Sequence, residues 1–568
     1  MRRMTARSNK PHRAYRGGSR VVALREPPKR VAYAAGSKRR GAVLILVLVV
    51  VMLLSFAAFS FSELMLAESQ ASRLSTQSQQ ARVLAESGIE AAAAFLEDPA
   101  ARSVEPIVGN TRRFQNVSVT TLDSGVGRFT VRMPARPSNS VTSTAMASKS
   151  TSPSPIHSHS LSQPNEVGLI DESAKLNLNA LPLEPHKRRV ARKMLTALPA
   201  MTDQIADAIL DWMDEDNEPS EFGAESSFYS TLNPPRWPKQ SRIESLDELL
   251  QVRGVTRELL FGENDSTAAW SDFLTLNSRE RNLRRNSSPK LNVNHPDLVE
   301  LFDSLQAEFN IEVARFIVAW RLAGNTEGVE SQRDEPDRDD NSEDAKKSRE
   351  RMAKTRVKKQ LGGFDDDEPA QSKDGALTDA EKSAAKPPIL RGGLDLSRKP
   401  AYFVRSLWDL IGCNVRIDVD RRETILKSPW PHDPASIDRV LRDISDRLTI
   451  THAPVISGRI NINQASRPVL LSIPGITESL ADTILAAQLK AKNPTDRWRH
   501  EQSLAWLLDE RLLDLPQLRQ LAPYLTTGGD VFRGVSVGHI DGTRIATQIE
   551  FIIDASRIPA NVLELRER

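Results

Sequence analysis

One apolar segment near the N-terminus constrains this chain more than any other feature. Residues 42 to 61 are apolar or small except for Ser55 and Ser60. A helix that crosses the hydrocarbon core of a bilayer needs about 20 such residues. The segment therefore predicts a single membrane-spanning helix, or a sorting signal built like one.

The residues before this segment predict its orientation. They contain one acid, Glu26, and 13 basic residues: Arg2, Arg3, Arg7, Lys10, Arg13, Arg16, Arg20, Arg25, Lys29, Arg30, Lys38, Arg39 and Arg40. Basic segments stay on the cytoplasmic side, so the bulk of the chain is expected outside that membrane. A conventional cleaved signal is disfavoured, because the apolar run is too long and no Ala-x-Ala-type site closes it.

The helix is expected to continue beyond the lipid. Residues 42–97 contain no proline and, as their only glycine, Gly88, and a helix of this length extends for roughly 80 Å. Asp98-Pro99 ends it. Small and apolar residues recur at three-four spacing, which suits close packing against another helix. They are Leu64, Ala67, Ala71, Leu74, Ser78, Ala81, Ala85, Gly88, Ala92 and Phe95.

The composition of the remaining chain changes several times. We expect a small β-sheet at 98–134, with strands near 114–119 and 128–133, and a C-terminal β-hairpin region at 528–568. A Ser, Thr and Pro-rich linker occupies 135–165, and a charged insertion at 325–390 is expected to be disordered. Residues 391–456 predict a mixed α/β segment.

A pattern of one basic residue and alternating apolar and Asn positions occurs three times, at 175–179, 290–294 and 459–463. Each copy leads into a predicted helix pair, which indicates helix-hairpin-helix units at 166–280, 281–324 and 457–527. The structural positions are Asn179, Asn294 and Asn463, with the third hairpin at Pro474 and Gly475. The second copy is degenerate.

Helix-hairpin-helix units bind DNA in other settings, where hairpin N–H groups and basic residues hold a phosphate. Here Thr477, Glu478 and Asp482 occupy the third hairpin and its helix. The chain as a whole is nearly neutral, with 77 basic and 74 acidic residues. No nucleic acid is expected as a partner.

The junction Arg39-Arg40-Gly41-Ala42 resembles the leader of type IV pilin-like proteins, which a dedicated peptidase cuts after the glycine. The resemblance implies a basic leader peptide at 1–41 and a mature N-terminus at Ala42. Most such proteins carry Glu at the fifth mature position, where this chain has Leu46. The K-type minor pseudopilins of type II secretion systems (general secretion pathway protein K) characteristically lack that Glu.

Further blocks resemble the same family. They read Asp-Glu-Ser-Ala-Lys-Leu-Asn-Leu-Asn-Ala-Leu at 171–181, Asp-Trp-Met-Asp-Glu-Asp-Asn-Glu-Pro at 211–219 and Gly-Ala-Glu at 223–225, and a further block lies at 245–256. The resemblance covers about 40–280 and resumes from about 457, whereas the insertion departs from the family layout.

The resemblance implies an inner-membrane, single-pass protein whose N-terminus is cytoplasmic and whose bulk is periplasmic. It would sit at the tip of the pseudopilus and initiate assembly, with other minor pseudopilins, the major pseudopilin and the leader peptidase as partners. The expected fold class is α+β: a long N-terminal transmembrane/pilin-like helix with a small antiparallel sheet, plus mostly α-helical SAM-like/helix-hairpin-helix repeat domains. The alternatives are a membrane-anchored competence-type DNA receptor and an uncleaved bitopic scaffold.

Four acidic residues form the one candidate site for chemistry in the sequence. Asp214, Asp216 and Glu218 alternate as the chain leaves a helix, and Glu225 follows in the next turn. Such oxygens can converge on Ca²⁺, although the spacing is not that of an EF-hand. The alternative is a solvated acidic helix end. Since members of the family bind calcium, the resemblance implies calcium as the cofactor.

No catalytic residue is expected. Gly534, Ser536 and Gly538 imitate a serine-hydrolase elbow, but the residues after Ser536 alternate as a strand rather than forming the required helix. The single cysteine, Cys413, excludes an intrachain disulfide. The sequence therefore predicts an assembly protein without a catalytic site.

Overall fold

The computed structural model describes residues 40–122, 125–134, 166–262, 269–325, 389–420, 422–433, 436–490 and 499–567. Three predicted segments lie outside these residues: the leader up to residue 39, the linker at 135–165, and the charged insertion except for its ends. The chain divides into two units, residues 1–75 and 76–568.

The mixture of helices and sheets with one long apolar N-terminal helix confirms the predicted fold class at that level. The longest helix, α1, spans Arg40–Glu97 and has 58 residues. Its apolar part is long enough to cross a membrane. In the first unit, every described side chain from residue 44 onward is exposed. Asp98 ends α1 and caps the next helix, since its carboxylate accepts the N–H groups of Ala100 and Ala101.

The other helices lie in the second unit. They are α2 Pro99–Val104, α3 Thr111–Phe114, α4 Arg188–Thr196, α5 Asp203–Met213, α6 Ser226–Tyr229, α7 Arg257–Phe261, α8 Trp270–Phe273, α9 Leu298–Glu308, α10 Ile311–Ala323, α11 Ile437–Arg447, α12 Arg467–Leu471, α13 Glu478–Lys490, α14 Trp506–Asp509 and α15 Leu515–Leu521.

The strands are mostly short. They are β1 Val117–Leu122, β2 Gly125–Arg132, β3 Ile170–Asp171, β4 Leu176–Asn177, β5 Leu274–Thr275, β6 Arg279–Arg281, β7 Leu291–Asn292, β8 Leu390–Arg391, β9 Leu394–Asp395, β10 Asn414–Val419, β11 Arg422–Lys427, β12 Leu448–Thr449, β13 Val455–Ser457, β14 Ile460–Asn461, β15 Leu525–Thr526, β16 Val531–Ile540, β17 Ala546–Asp554 and β18 Asn561–Glu567.

One sheet joins residues that the sequence analysis assigned to two separate regions. Its strand order is β1-β2-β16-β17-β18, and β3 also pairs with β16. The predicted sheet at 98–134 and the C-terminal hairpin at 528–568 are therefore one structure, because β2 and β16 pair antiparallel along their length. Residue 114, predicted to begin a strand, ends α3 instead.

The C-terminal half of α1 packs on this sheet. Ala81, Ala85 and Ala92 have no exposed surface. The Ser536 hydroxyl in β16 donates to the Ala85 carbonyl oxygen at 2.7 Å. A Cβ atom on Gly538 would collide with the Ala81 carbonyl and the Ala85 nitrogen. This part of the small-residue stripe contacts the chain's own sheet, so the predicted contact with another helix is left to the residues of the stripe before Ala81.

The repeat seen in the sequence recurs as a backbone arrangement. In each copy the first Lys/Arg-x-Asn segment forms a two-residue parallel pair with a later Leu-Thr segment. The pairs are β4 with β5, β7 with β12, and β14 with β15. Since β12 closes the second copy, part of the segment predicted as a separate 391–456 region belongs to that copy. The three copies share one hydrophobic core.

The second Asn of each copy fixes the same loop closure. Its side-chain NH₂ group donates to two backbone carbonyl oxygens of its own repeat. The acceptors are Ile243 and Leu276 for Asn179, Val404 and Ile450 for Asn294, and His500 and Thr527 for Asn463. Each predicted Asn thus holds together segments distant in sequence.

The third hairpin turns at Pro474-Gly475. Gly475 has φ +95°, in the left-handed region that favours glycine. Its equivalent in the first copy, Ala200, has φ +58°. The two hairpins therefore have the same backbone turn despite the difference in sequence.

Asp171 connects the third repeat to the β-sheet. Its carboxylate accepts the Asn461 side-chain NH₂ at 2.8 Å and the Gly529 N–H at 2.6 Å. Asp171 also lies in β3, which pairs with β16. One buried side chain thereby contacts residues nearly 300 and more than 350 positions away.

Glu172 connects the first repeat to the same sheet. Its fully buried carboxylate accepts the Arg533 Nε–H at 2.8 Å and the Thr275 hydroxyl. Lys175 Nζ lies 3.1 Å from it. We call residues 171 and 172 the Asp171–Glu172 junction.

Candidate metal centre

The acidic block lies at the C-terminal end of α5. Thr202 caps the start of this helix, where its hydroxyl accepts the Ile205 N–H at 3.3 Å. The helix ends at Met213, and the Asp214 N–H still donates to the Leu210 carbonyl. Asp211 and Asp214 are three residues apart, so their side chains lie on one face of the helix end.

The structure brings three carboxylates together: Asp211, Asp214 and Glu225. Their oxygen atoms lie within 4.8 Å of one another, and all three residues are buried. Glu225 is only 1% exposed. Carboxylate groups so close together and so little hydrated repel each other unless a cation or protons neutralise them.

The predicted ligands only partly coincide with this cluster. Asp214 and Glu225 belong to it, whereas Asp216 and Glu218 are exposed and lie outside it. The Asp216 carboxylate accepts the Glu218 N–H at 2.9 Å, which shapes the loop. Asp211 takes their place. Its i, i+3 relation to Asp214 is the sequence signal that could have identified it.

Asp211 is held by the loop that follows. The Ser220 hydroxyl donates to it at 2.7 Å, and the Ser220 N–H also donates to it. A Cβ atom at Gly223 would overlap the Asp211 carboxylate, so only glycine allows this approach. The loop therefore folds tightly over the cluster.

Several oxygen atoms of the cluster lack hydrogen-bond donors. They are Asp214 Oδ1 and both carboxylate oxygens of Glu225. Buried carboxylate oxygens normally accept hydrogen bonds or bind a cation. Oxygen ligands of this kind suit Ca²⁺, so the residues present fit such an ion.

Protonation is the other way to reduce the charge. Burial, followed by the negative charges of Asp214 and Asp211, raises the pKa of Glu225 to about 7. Burial also raises the pKa of Asp214 to about 6, although the nearby Arg188 opposes this change. The pKa of Asp211 is raised by burial as well. Near neutral pH the cluster is therefore poised between holding a proton and holding a cation.

Residues 174–261 match the family described as type II secretion system (T2SS), protein K. This segment contains all three carboxylates. The match confirms the family resemblance that the sequence blocks in this segment indicated.

Curated relatives agree with this match. The chain is 38% identical over 58 residues to a putative type II secretion system protein K of Escherichia coli (strain K12), covering 10% of this chain and 18% of the relative. It is 35% identical over 86 residues to type II secretion system protein K of Pectobacterium carotovorum, covering 15% and 26%. The chain therefore spans about a quarter or less of the length of these relatives.

A solved structure was also found, a crystal structure of the GspK-GspI-GspJ complex from enterotoxigenic Escherichia coli. The similarity covers 88% of this chain and 99% of that chain, at 12% identity and a TM-score of 0.33.

Proposed function

We propose that this chain, a relative of protein K of type II secretion systems, is a minor pseudopilin that starts assembly of the pseudopilus from its tip. The pattern of exposed and buried residues along α1 is the observation that supports this proposal most directly. Its first half is apolar and exposed, and its second half lies on the protein's own sheet. This division suits a subunit that is held in a membrane and then packs into a fibre.

The membrane proposed here is the inner membrane, with the basic N-terminus in the cytoplasm and the repeats in the periplasm. The positive-inside rule supports this orientation. A bilayer core accommodates about 20 residues of α1. The exposed apolar residues beyond that length, Leu64 and Leu74, are then available to partner helices.

Leu46 supports the position at the tip. The K-type resemblance associates its lack of Glu with a subunit that cannot join as an ordinary internal subunit. The partners proposed are other minor pseudopilins, the major pseudopilin and the leader peptidase. The fibre would grow beneath this subunit and push folded proteins through an outer-membrane channel.

We expect the mature protein to begin at N-methylated Ala42. Gly41 and Ala42 both lie within the described part of helix α1, so the junction is in helical backbone. Mass spectrometry of the protein from membranes, with and without the pilin-type leader peptidase, measures this directly. An N-terminus at Met1 in cells that contain the peptidase would favour the uncleaved scaffold.

We also propose that Asp211, Asp214 and Glu225 hold Ca²⁺. When bound, the ion would supply positive charge that no described residue gives to the Glu225 carboxylate. The protein residues contribute the rest: α5 orients two carboxylates, and the 215–225 loop brings the third. Filling this site would fix the loop on the first repeat.

Replacing Glu225 with Gln should weaken calcium binding at least about tenfold, because an ionic ligand is lost. Isothermal titration of the full-length protein in detergent measures the affinity. Glu218→Gln is the matched control, and we expect it to leave the affinity within about threefold. A loss in Glu218→Gln equal to that in Glu225→Gln would restore the sequence-based ligand set.

If these carboxylates bind calcium, the calcium affinity should depend on pH. Because the pKa of Glu225 is raised from 4.5 to about 7, this carboxyl group holds its proton more tightly in the folded than in the unfolded protein. Its contribution to the stability of the metal-free protein is therefore fully present below pH 4.5 and is lost as pH rises to about 7. Calcium needs the deprotonated carboxylate, so its affinity should increase over the same window.

We take the three repeats to be helix-hairpin-helix units that serve as structure rather than as DNA receptors. Arg467, the basic residue beside the third hairpin, donates to Asp482 at 2.7 Å and to Glu478 at 3.2 Å. Those carboxylates already neutralise it, which disfavours phosphate binding.

A further inference from the structure

Arg188 contacts two of the three carboxylates in the cluster. It lies at the start of α4, and its Nη2 is 2.6 Å from Asp211 Oδ1. The same nitrogen donates to Asp214 Oδ2. Arg188 Nε is buried and has no hydrogen-bond partner. The guanidinium is therefore close to the acids without a complete set of hydrogen bonds.

The net charge of the three carboxylates and Arg188 indicates which kind of ion the cluster could hold. Three ionised carboxylates carry a charge of −3, and Arg188 reduces it to −2, the charge that a divalent cation neutralises. The hydrogen bonds and ion pairs of Arg188 in the described structure go to Asp211 and Asp214, whereas both oxygens of Glu225 lack donors. The arginine thus balances part of the cluster and leaves the Glu225 side open.

A second arginine on the same two helices is paired differently. Arg192 lies one turn after Arg188 on α4, and its Nε and Nη2 donate to the two oxygens of Asp207 on α5, each at 2.6 Å. This bidentate pair has the ideal fork geometry of a permanent ion pair. The comparison indicates that the one-nitrogen contact of Arg188 is not simply what packing α4 on α5 requires.

We propose that Arg188 competes with the cation for Asp211 and Asp214. When no ion is bound, it holds these two carboxylates together. Its positive charge also leaves the site with a net charge of −2, which a divalent ion neutralises. This inference rests on the cation site proposed above. Arg188 is a positioning residue, since it acts on the ion through the two carboxylates. Its presence lets the end of α5 stay folded before calcium arrives.

The test compares Arg188→Gln with Arg192→Gln in the full-length protein in detergent. Isothermal titration with CaCl₂ measures affinity, and hydrogen exchange of peptides from 203–230 measures local order in EGTA and in calcium. For Arg188→Gln we expect calcium affinity at least about tenfold higher, since one repelling charge is gone. Exchange should be faster than in the wild type in EGTA and equal to it in calcium.

The control variants separate charge from packing. Arg192→Gln should speed exchange in both conditions and change the affinity by less than about threefold, because Asp207 is not a ligand. Arg188→Lys keeps the charge and should keep the wild-type affinity within about threefold, which also guards against a variant that misfolds.

Two results would overturn the inference in different ways. If Arg188→Gln bound calcium no more tightly than the wild type, or exchanged equally fast in both conditions, Arg188 would be an ordinary ion-pair residue and the cation site would stand. If the wild-type protein gave neither binding heat nor calcium-dependent protection, the cation site itself would fail.

Discussion

Glu172→Ala should lower the free energy of unfolding by about 3–5 kcal/mol, because it leaves buried Lys175 without its counterion and Arg533 with Glu550 alone. Glu172 has no exposed surface, and its carboxylate contacts Arg533, Lys175 and Thr275. Burial opposes its ionisation, but the charges of Arg533 and Lys175 keep the pKa of Glu172 at about 2. The charge is therefore present throughout the physiological range.

Chemical denaturation measures this loss of unfolding free energy. Hydrogen exchange of peptides from β16 and from the first repeat shows where in the protein it occurs. Glu86→Ala is the control: Glu86 forms an exposed i, i+4 pair with Arg82, and its removal should cost no more than about 0.5 kcal/mol. Equal losses in the two variants would contradict the role of the Asp171–Glu172 junction. The lowered pKa of Glu172 also determines how its contribution to stability changes with pH. The stabilisation is present above pH 4.5 and is lost as pH falls to about 2.

Gly538→Val should separate α1 from the sheet at a cost of about 3 kcal/mol or more. The new side chain would meet the Ala81 carbonyl and the Ala85 nitrogen. These are backbone atoms of a helix, so they cannot rotate away. Ser536, two residues earlier in β16, would also lose its bond to Ala85.

Faster hydrogen exchange of peptides from 81–96 and 531–540 would report this separation. A type II secretion assay would show whether the paired helix and sheet are needed for export. Gly528→Val is the matched control, since a Cβ atom there meets nothing within 4 Å. If Gly538→Val exchanged like the wild type, the packing of α1 on β16 would not contribute to the stability of the protein.

The packing of α1 changes how its small-residue stripe is understood. Ala81, Ala85 and Ala92 are covered by the protein's own sheet. They are thus unavailable for packing into a fibre, and the part of the stripe from Leu64 to Leu74 is exposed. The proposed contacts with other pseudopilins are accordingly restricted to the part of the helix before Ala81.

Features that depend on neighbouring residues could be predicted from the sequence. Helix α1 follows from the apolar run at 42–61 and from the lack of proline up to Glu97, and its end follows from Asp98-Pro99. The turn at Asp541-Gly542 follows from a dipeptide that suits positive φ, which Gly542 adopts at +82°. The repeated Asn positions were visible because each copy carries the same local pattern.

Pairings between distant residues were decided only by the tertiary structure. Nothing near residue 128 in the chain indicates that β2 pairs with β16, more than 400 positions later. Nor does spacing near Glu172 identify Arg533 as its partner. For the proposed cation site, Asp214 and Glu225 could be predicted from the sequence, whereas the replacement of Asp216 and Glu218 by Asp211 depended on where α5 ends and how the loop returns. Local propensity is set by adjacent residues, but burial and charge pairing are set by whichever segments the fold brings into contact.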